Sequence, residues 1–325
     1  MKKLLTVSLS IIVVISLMLS VTSCGKVKKN SKDRDDDTET EESTDLSDSP
    51  NGTADGSDDS QTGERETQDS ETEAPDKTPD PADMTDKEIY ELYLSAAEKT
   101  NAPDDVHIKL TSKQDMSLKI SGVSDVTEQS TNTVTDSRYC DRHSSNILLE
   151  MHSTDVESSR TTDVYFDGSN YYIRRPGEDF VTVPKTDSGI QAQALNAVIS
   201  EDNFLIRILP EAAFENASIK IENRTTVITI APDPDTIRDG YSDAMAQFDD
   251  LFARLGATDV STVVSSAEFT FVISEDGYII NLESSILFSM EMTILSYNAT
   301  ADVVASSVME IIDPGKPVTI EFPEV

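Results

Sequence analysis

Residues 278–294 read YIINLESSILFSMEMTI, and this stretch decides the fold. Nearly every even-numbered position from Tyr278 to Ile294 is apolar, whereas most odd-numbered positions from Asn281 to Thr293 are polar. A period of two residues is typical of a β-strand with one buried face and one solvated face. Because an unbroken strand of this length would exceed about 50 Å, we predict two strands with a bend or turn at Ser284-Ser285 or Phe288-Ser289.

The same alternation extends to both sides of this stretch. Phe269, Phe271 and Ile273 alternate before the turn Glu275-Asp276-Gly277, and the even positions of 106–120 fit one long strand or a hairpin pair. Asp167-Gly168-Ser169-Asn170 predicts a hairpin turn. The other predicted strands are Val123–Tyr139, Ile147–Met151, Thr162–Phe166, Tyr171–Arg175, Phe180–Pro184, Ser218–Glu222, Thr226–Ile230 and Val303–Ile312.

Helical patterns are few. Thr85 and Glu88 fit a capping box for a helix over Thr85–Thr100, and an apolar stripe predicts a second helix over Pro234–Leu255. Gly189–Ile199 reads as helical, and Phe204–Leu209 fits either a short helix or a strand. We therefore predict an α+β fold: a long curved antiparallel sheet, a half-barrel, covered on its concave face by a few helices.

The N-terminus has the anatomy of a secretory signal. Lys2 and Lys3 precede an uncharged apolar run, which ends in Val21-Thr22-Ser23-Cys24-Gly25. This ending resembles the lipobox of bacterial lipoproteins, which implies a signal peptide over 1–23 and a lipid on Cys24. The alternative is an uncut signal-anchor helix, because the run is just long enough to span a bilayer. We expect a protein held at the extracytoplasmic face of the cell membrane by lipidated Cys24.

Composition separates a linker from a folded domain. Residues 26–83 carry 20 Asp and Glu against 7 Lys and Arg and almost no apolar residues. Such a segment buries too little surface to offset its chain entropy, so we predict a disordered acidic linker over 24–83 and a single domain over 84–325. With Cys24 lipidated, Cys140 is the one remaining cysteine, which excludes an intramolecular disulfide.

Charge and motifs argue against several classes of function. A net charge of −35 disfavours nucleic-acid binding. Cys140-Asp141-Arg142-His143 brings a thiol near an imidazole, but alternate residues of a strand face opposite sides. His107, His143 and His152 lack metal-ligand spacing. We therefore predict no enzymatic activity, no metal and no cofactor.

The order of these elements resembles the LolA-like superfamily of lipoprotein carriers, most of all its surface-lipoprotein branch in Gram-positive bacteria. The features that carry the resemblance are an N-terminal helix, long strands, the turn Asp167–Asn170 followed by Tyr171-Tyr172, and a closing strand pair that ends in a proline turn. The chain departs from the family pattern in lacking tryptophan, with Phe180 where a tryptophan often stands. The resemblance implies a concave face that holds acyl chains under a helical lid.

Two functions follow as hypotheses. The first is a carrier of a lipid or another amphiphile, with an apolar cavity of several hundred Å³. The second is an envelope interaction or structural module with a filled core and an exposed apolar patch, whose protein partners the sequence does not identify. The predicted ligand-binding residues are Phe269, Phe271, Ile280, Leu282, Ile286, Phe288, Met290, Met292 and Ile294; the alternative is that they only pack against helices.

Overall fold

The structure is a computed structural model that describes residues 84–122, 126–189, 192, 195, 196, 199, 205–237, 257–294 and 297–323. The predicted signal peptide, Cys24, the predicted linker and most of the helix predicted over Pro234–Leu255 lie outside the described residues. The same holds for most of Gly189–Ile199. No helix in the described part of the chain is long and apolar enough to cross a bilayer.

Eleven antiparallel strands form one sheet, in the order β6-β5-β4-β3-β2-β1-β11-β10-β9-β8-β7. Each strand except β1 and β11 therefore pairs only with its sequence neighbours, and β1 with β11 joins two meanders. The strands are β1 Val106–Ile120, β2 Val126–Cys140, β3 Leu148–Asp155, β4 Arg160–Phe166, β5 Asn170–Arg174, β6 Val181–Pro184, β7 Ser218–Glu222, β8 Thr225–Ile230, β9 Ala257–Ile273, β10 Ile279–Ile294 and β11 Tyr297–Ile312.

The predicted α+β class with several covering helices is wrong. Among the described residues, the helices with complete bounds are α1, Asp86–Asn101, and a 3₁₀ helix, Glu211–Phe214. Phe204–Leu209, read as helix or strand, is neither from residue 205 onward. The sheet dominates because its long central strands pair over almost their whole length and leave little chain for helices.

The predicted break in 278–294 is also wrong, because β10 runs through Ser284-Ser285 and Phe288-Ser289 without a turn. Its pairing with β11 keeps one register from Asn281 to Ile294. The irregularity is absorbed on the other side, where the pairing with β9 shifts register between Leu287 and Phe288. The predicted alternation is confirmed within the strand: Phe288, Met290 and Met292 are buried and Glu283, Ser285 and Glu291 are exposed.

The first helix is confirmed together with its cap. The Thr85 hydroxyl accepts a hydrogen bond from the Glu88 backbone N–H (3.3 Å), and the Glu88 carboxylate accepts one from the Thr85 N–H (2.7 Å). A cap of this kind contributes about 1 kcal/mol. The helix buries Ile89, Tyr93 and Ala96 against the sheet.

We call the sheet face that meets α1 the covered face and the other the open face. Apolar side chains on the covered face form two clusters. The larger includes Tyr93, Phe271, Met290 and Met309, and the smaller includes Leu149, Phe166 and Tyr171 of β3–β5. Ile108 of β1 packs against both clusters.

Candidate functional site

A cavity lies on the covered face between the centre of the sheet and the segment Leu205–Leu209, which we call the cover segment. Its volume is about 70 Å³. That is room for a few water molecules, and less than the several hundred Å³ expected for a carrier. The residues that line it are Leu110, Ser112, Lys113, Gln114, Thr131, Thr133, Ile206, Arg207, Leu209, Phe269, Phe271, Leu282, Ser284, Ile286, Ala305, Ser306, Ser307 and Met309.

The cover segment is held by two side chains of α1 that are two helical turns apart. The Asn101 amide donates to the Ile206 carbonyl (2.6 Å) and accepts from the Ile206 N–H (2.8 Å). The Tyr93 hydroxyl donates to the Arg207 carbonyl and accepts from the Leu209 N–H (3.3 Å). Because Tyr93 and Asn101 are themselves buried, these hydrogen bonds hold the backbone of the segment at Ile206, at Arg207 and at Leu209.

The cavity wall changes from apolar to polar across the sheet. Phe269, Phe271 and Leu282 line it on β9 and β10, whereas Thr131 and Thr133 line it on β2. The hydroxyls of Ser284 and Ser307 lie between them and are 2.8 Å apart. These small polar residues occupy positions that bulky apolar residues hold elsewhere on the covered face, and so the space stays open.

Four of the predicted ligand-binding residues line the cavity, namely Phe269, Phe271, Leu282 and Ile286. Phe288, Met290 and Met292 lie instead in the packed core of the larger cluster. Ile280 is half-buried and not part of the lining. The side chain of Ile294 and the predicted lipid-attachment residue Cys24 lie outside the described residues.

Sequence reasoning missed the polar half of the wall and the cover segment. A signal was present for the first: Ser112, Gln114, Ser284 and Ser307 interrupt runs of apolar residues at covered-face positions. No periodicity marks Ile206, Arg207 and Leu209, because the cover segment has no regular secondary structure.

A second cluster of functional groups lies on the open face of β2–β5. We call it the charge ladder: Arg138, Glu150, His152, Asp163 and Arg174. The His152 ring nitrogens lie 3.0 Å from Glu150 Oε1 and 2.7 Å from Asp163 Oδ1. Arg138 donates to Glu150 (3.0 Å), and Arg174 donates to Asp163 through Nε (2.8 Å) and Nη2 (2.6 Å).

The ladder shifts the pKa values of His152 and Asp163. Burial favours neutral His152, but hydrogen bonds and charge from Asp163 and Glu150 outweigh burial and raise the pKa of His152 above 6.5. Burial likewise acts to raise the pKa of Asp163, but His152 and Arg174 outweigh it and lower that pKa below 3.8. These interactions hold the ladder in its charged form at mildly acidic pH.

Cys140 and His143 do not form a catalytic pair. The Cys140 thiol donates to the Val318 carbonyl (3.1 Å), whereas His143 Nε2 lies 3.0 Å from the Asn101 carbonyl oxygen. Burial, with smaller effects from Asp105, Asp141 and Glu150, raises the pKa of the Cys140 thiol to about 11. A thiol with such a pKa is a poor nucleophile at neutral pH. Within the described residues, no group of three or more His, Cys, Asp or Glu is placed to hold a metal ion.

No protein-family model matches this sequence, and no curated protein matches it significantly. Among solved structures, the chain is similar to a DUF1329 family protein from Desulfovibrio piger. That match has 9% identity and a TM-score of 0.25, and it covers 73% of this chain and 95% of that one. A proposed outer membrane lipoprotein-sorting protein domain from Vibrio parahaemolyticus matches with 6% identity and a TM-score of 0.20, over 67% of this chain and 90% of that one. Likenesses at this level assign neither a family nor a function.

Proposed function

We propose that this protein is a membrane-anchored extracytoplasmic lipoprotein without enzymatic activity, whose sheet domain binds a lipid or another small amphiphile beneath the cover segment. The observation that carries the proposal is the cavity wall, which is apolar on β9–β10 and polar on β1–β2. The hydroxyl residues of this wall are half-buried beside an open space, whereas a fully packed core leaves no such space next to its polar groups. An amphiphile would fill the apolar part and bond the polar part.

The volume of the cavity sets a condition on this proposal. About 70 Å³ does not hold a whole acyl chain, so binding requires displacement of the cover segment. Displacement of Leu205–Leu209 disrupts no helix or strand, but it breaks the hydrogen bonds to Asn101 and Tyr93 and exposes the buried Ile206 side chain.

The test is uptake of two fluorescent probes, neutral N-phenyl-1-naphthylamine and a fluorescent fatty acid, by the purified chain lacking residues 1–24. Mass spectrometry of an organic extract would identify any co-purified lipid. We expect Ser284→Phe to fill the cavity and reduce uptake of both probes at least about tenfold. Ser285→Phe is the matched control, because Ser285 is the next residue on β10 and is exposed on the open face.

The outcomes separate the hypotheses. Uptake that Ser284→Phe abolishes and Ser285→Phe preserves supports the proposal. Absence of uptake and of co-purified lipid, or equal loss in both variants, overturns it.

Membrane anchoring needs its own experiment, since it rests on the sequence of 1–25 alone. We expect cells fed labelled palmitate to label the full-length chain and to leave the Cys24→Ala variant unlabelled. Equal labelling of the two chains would overturn the anchoring proposal and leave amphiphile binding untouched.

One observation favours the second candidate, an envelope interaction module. Val263, Leu287 and Val304 are 52%, 37% and 44% exposed on the open face. Leu287 pairs with Val304, and Val263 lies one strand further. If the chain binds no amphiphile but retains an envelope protein that Leu287→Asp releases, the interaction module is the better description.

A further inference from the structure

We infer that the ligand of this cavity is a single-chain amphiphile with an anionic head group, a carboxylate or a phosphate, and that Arg207 is the residue that binds this group. The inference rests on the proposed function and extends it to the chemistry of the ligand. It is carried by the charges around the cavity, the position of Arg207 and the polarity of the wall.

The charges around the cavity are opposite to those of the whole chain. The sequence has 61 acidic residues against 26 Lys and Arg, for a net charge of −35. Nevertheless, none of the described residues that line the cavity is acidic, and two of them, Lys113 and Arg207, are basic. Because a covered cavity excludes unpaired carboxylates in any case, the informative feature is the basic residue Arg207 in its lining.

Arg207 is placed to act on a ligand within the cavity. It is only 7% exposed, it lines the cavity, and it belongs to the cover segment, so it moves with that segment when a chain enters and stays next to the entering ligand. A guanidinium group so far from bulk water interacts strongly with an anion, and it matches the geometry of carboxylate and phosphate oxygens. Lys113 has no part in this binding, because it alternates with Ser112 and Gln114 on β1 and its side chain is on the open face, where the ammonium group lies 2.7 Å from the Asp115 carboxylate.

The wall also sets the orientation of the ligand. Hydroxyl and amide groups of Ser112, Gln114, Thr131 and Thr133 can bond a head group that carries several oxygen acceptors. The tail then points toward Phe269 and Phe271 on the apolar side. A single chain is inferred because the cavity is small and even one chain requires displacement of the cover segment.

The experiment measures competition with bound N-phenyl-1-naphthylamine by dodecyl amphiphiles that differ only in the head group. Dodecanoate and dodecyl phosphate are the anions, dodecyl glucoside is neutral, and dodecyltrimethylammonium is the cation, each used below its micelle concentration. We expect both anions to bind at least about tenfold tighter than the other two, the range of one charge-assisted hydrogen bond. The ratio of the two anions tells a carboxylate site from a phosphate site.

Variants identify the residue. We expect Arg207→Gln to lose the preference for anions while it keeps affinity for dodecyl glucoside, and Arg207→Lys to keep part of the preference. Arg224→Gln is the matched control, since the Arg224 side chain is 83% exposed and Arg224 does not line the cavity. If Arg207→Gln does not fold, the head-group series on the wild-type chain and on Arg207→Lys decides the question.

Failure of the inference is distinct from failure of the proposed function. Equal affinity for anionic, neutral and cationic heads overturns the inference and leaves amphiphile binding in place. An anion preference that survives Arg207→Gln overturns the assignment of Arg207. Absence of probe binding overturns the proposed function itself.

Discussion

The two ends of this sheet are stabilised in different ways. Around β8–β11 and β1, the covered face packs against α1 and the cover segment and builds the larger apolar cluster. Around β2–β5, the apolar cluster is smaller and the open face carries the charge ladder, in which Glu150 and Asp163 are 8% and 7% exposed. The first end depends on apolar burial, which is insensitive to pH, and the second depends in part on ions that are costly to separate.

This contrast also separates the candidate sites. The end rich in apolar burial is the one that leaves a cavity, because serines and threonines replace bulky side chains at its centre. At the other end, the five residues of the charge ladder bond one another. The ladder is therefore structural, while the candidate binding site carries one buried cation, Arg207.

The largest expected effect is at the apolar end. Tyr93 is fully buried, and its ring lies 4.7 Å from the rings of both Phe214 and Phe271. We expect Tyr93→Ala to lower the free energy of unfolding by about 3–5 kcal/mol, because it opens a void and removes the hydrogen bonds to the cover segment. Urea unfolding followed by circular dichroism measures this. Tyr297→Ala, at a position 49% exposed, is the control, and a similar loss there would contradict the comparison.

A smaller effect is expected at the ladder. Asp163→Asn leaves His152 and Arg174 without their shared carboxylate, and we expect a loss of about 1–3 kcal/mol. High salt should weaken the wild-type ladder and narrow the difference between the two chains. Glu268→Gln, an exposed acid on β9 at the other end, should change stability by less than about 0.5 kcal/mol. Equal losses of unfolding free energy in the two variants would show that the ladder stabilises the protein no more than an exposed acid does.

The smallest effect is the pH dependence that His152 contributes. Since its pKa is raised above 6.5, its stabilising effect is fully present below pH 6.5 and is lost as the pH rises through the folded pKa. We expect the stability of wild type to exceed that of His152→Gln by about 0.5–1 kcal/mol at pH 5.5, and this advantage to decrease as the pH rises above 6.5. Glu150, Asp163, Asp136, Tyr165, Arg138 and Arg174 surround His152 in both chains. A difference that does not change with pH would contradict the assignment.

Asp163 contributes a pH dependence of stability that is opposite to that of His152. Its pKa is lowered below 3.8, so its contribution is present above that value and is lost as the pH falls through the folded pKa. The ladder is therefore most stabilising between the two transitions, in mildly acidic solution.

The strands were predictable because their signal is local. Alternation from Leu282 to Met292 assigned the two faces of β10 correctly, and the capping box of Thr85 and Glu88 located the start of α1. At the start of β10 the assignment was wrong, because the pairing with β9 shifts register between Ile279 and Asn281 and buries Ile279 in place of Ile280. The continuity of β10 was not predictable, because a strand of 16 residues depends on neighbours of similar length for its pairing. Nothing within 278–294 reveals that β9 has 17 residues and β11 has 16.

The candidate site was half predictable for the same reason. Phe269, Phe271, Leu282 and Ile286 were found through periodicity, but periodicity gave no means to tell them from Phe288, Met290 and Met292, which share their face and lie in packed core. Whether a residue of this face lines the cavity or packs in the core depends on where the cover segment, Leu205–Leu209, lies over the sheet.

The sequence by itself determined the alternation of the strands, the cap of α1 and the excess of negative charge, since each depends on residues that are close along the chain. Only the tertiary structure decided that one continuous sheet replaces a mixed fold, that a cavity remains at its centre and that Arg207 lies beside it. Those features depend on contacts between residues more than a hundred positions apart in the sequence, such as the hydrogen bonds of Tyr93 and Asn101 to the cover segment. Such contacts are selected by the packing of the whole domain and leave no periodic trace in the chain.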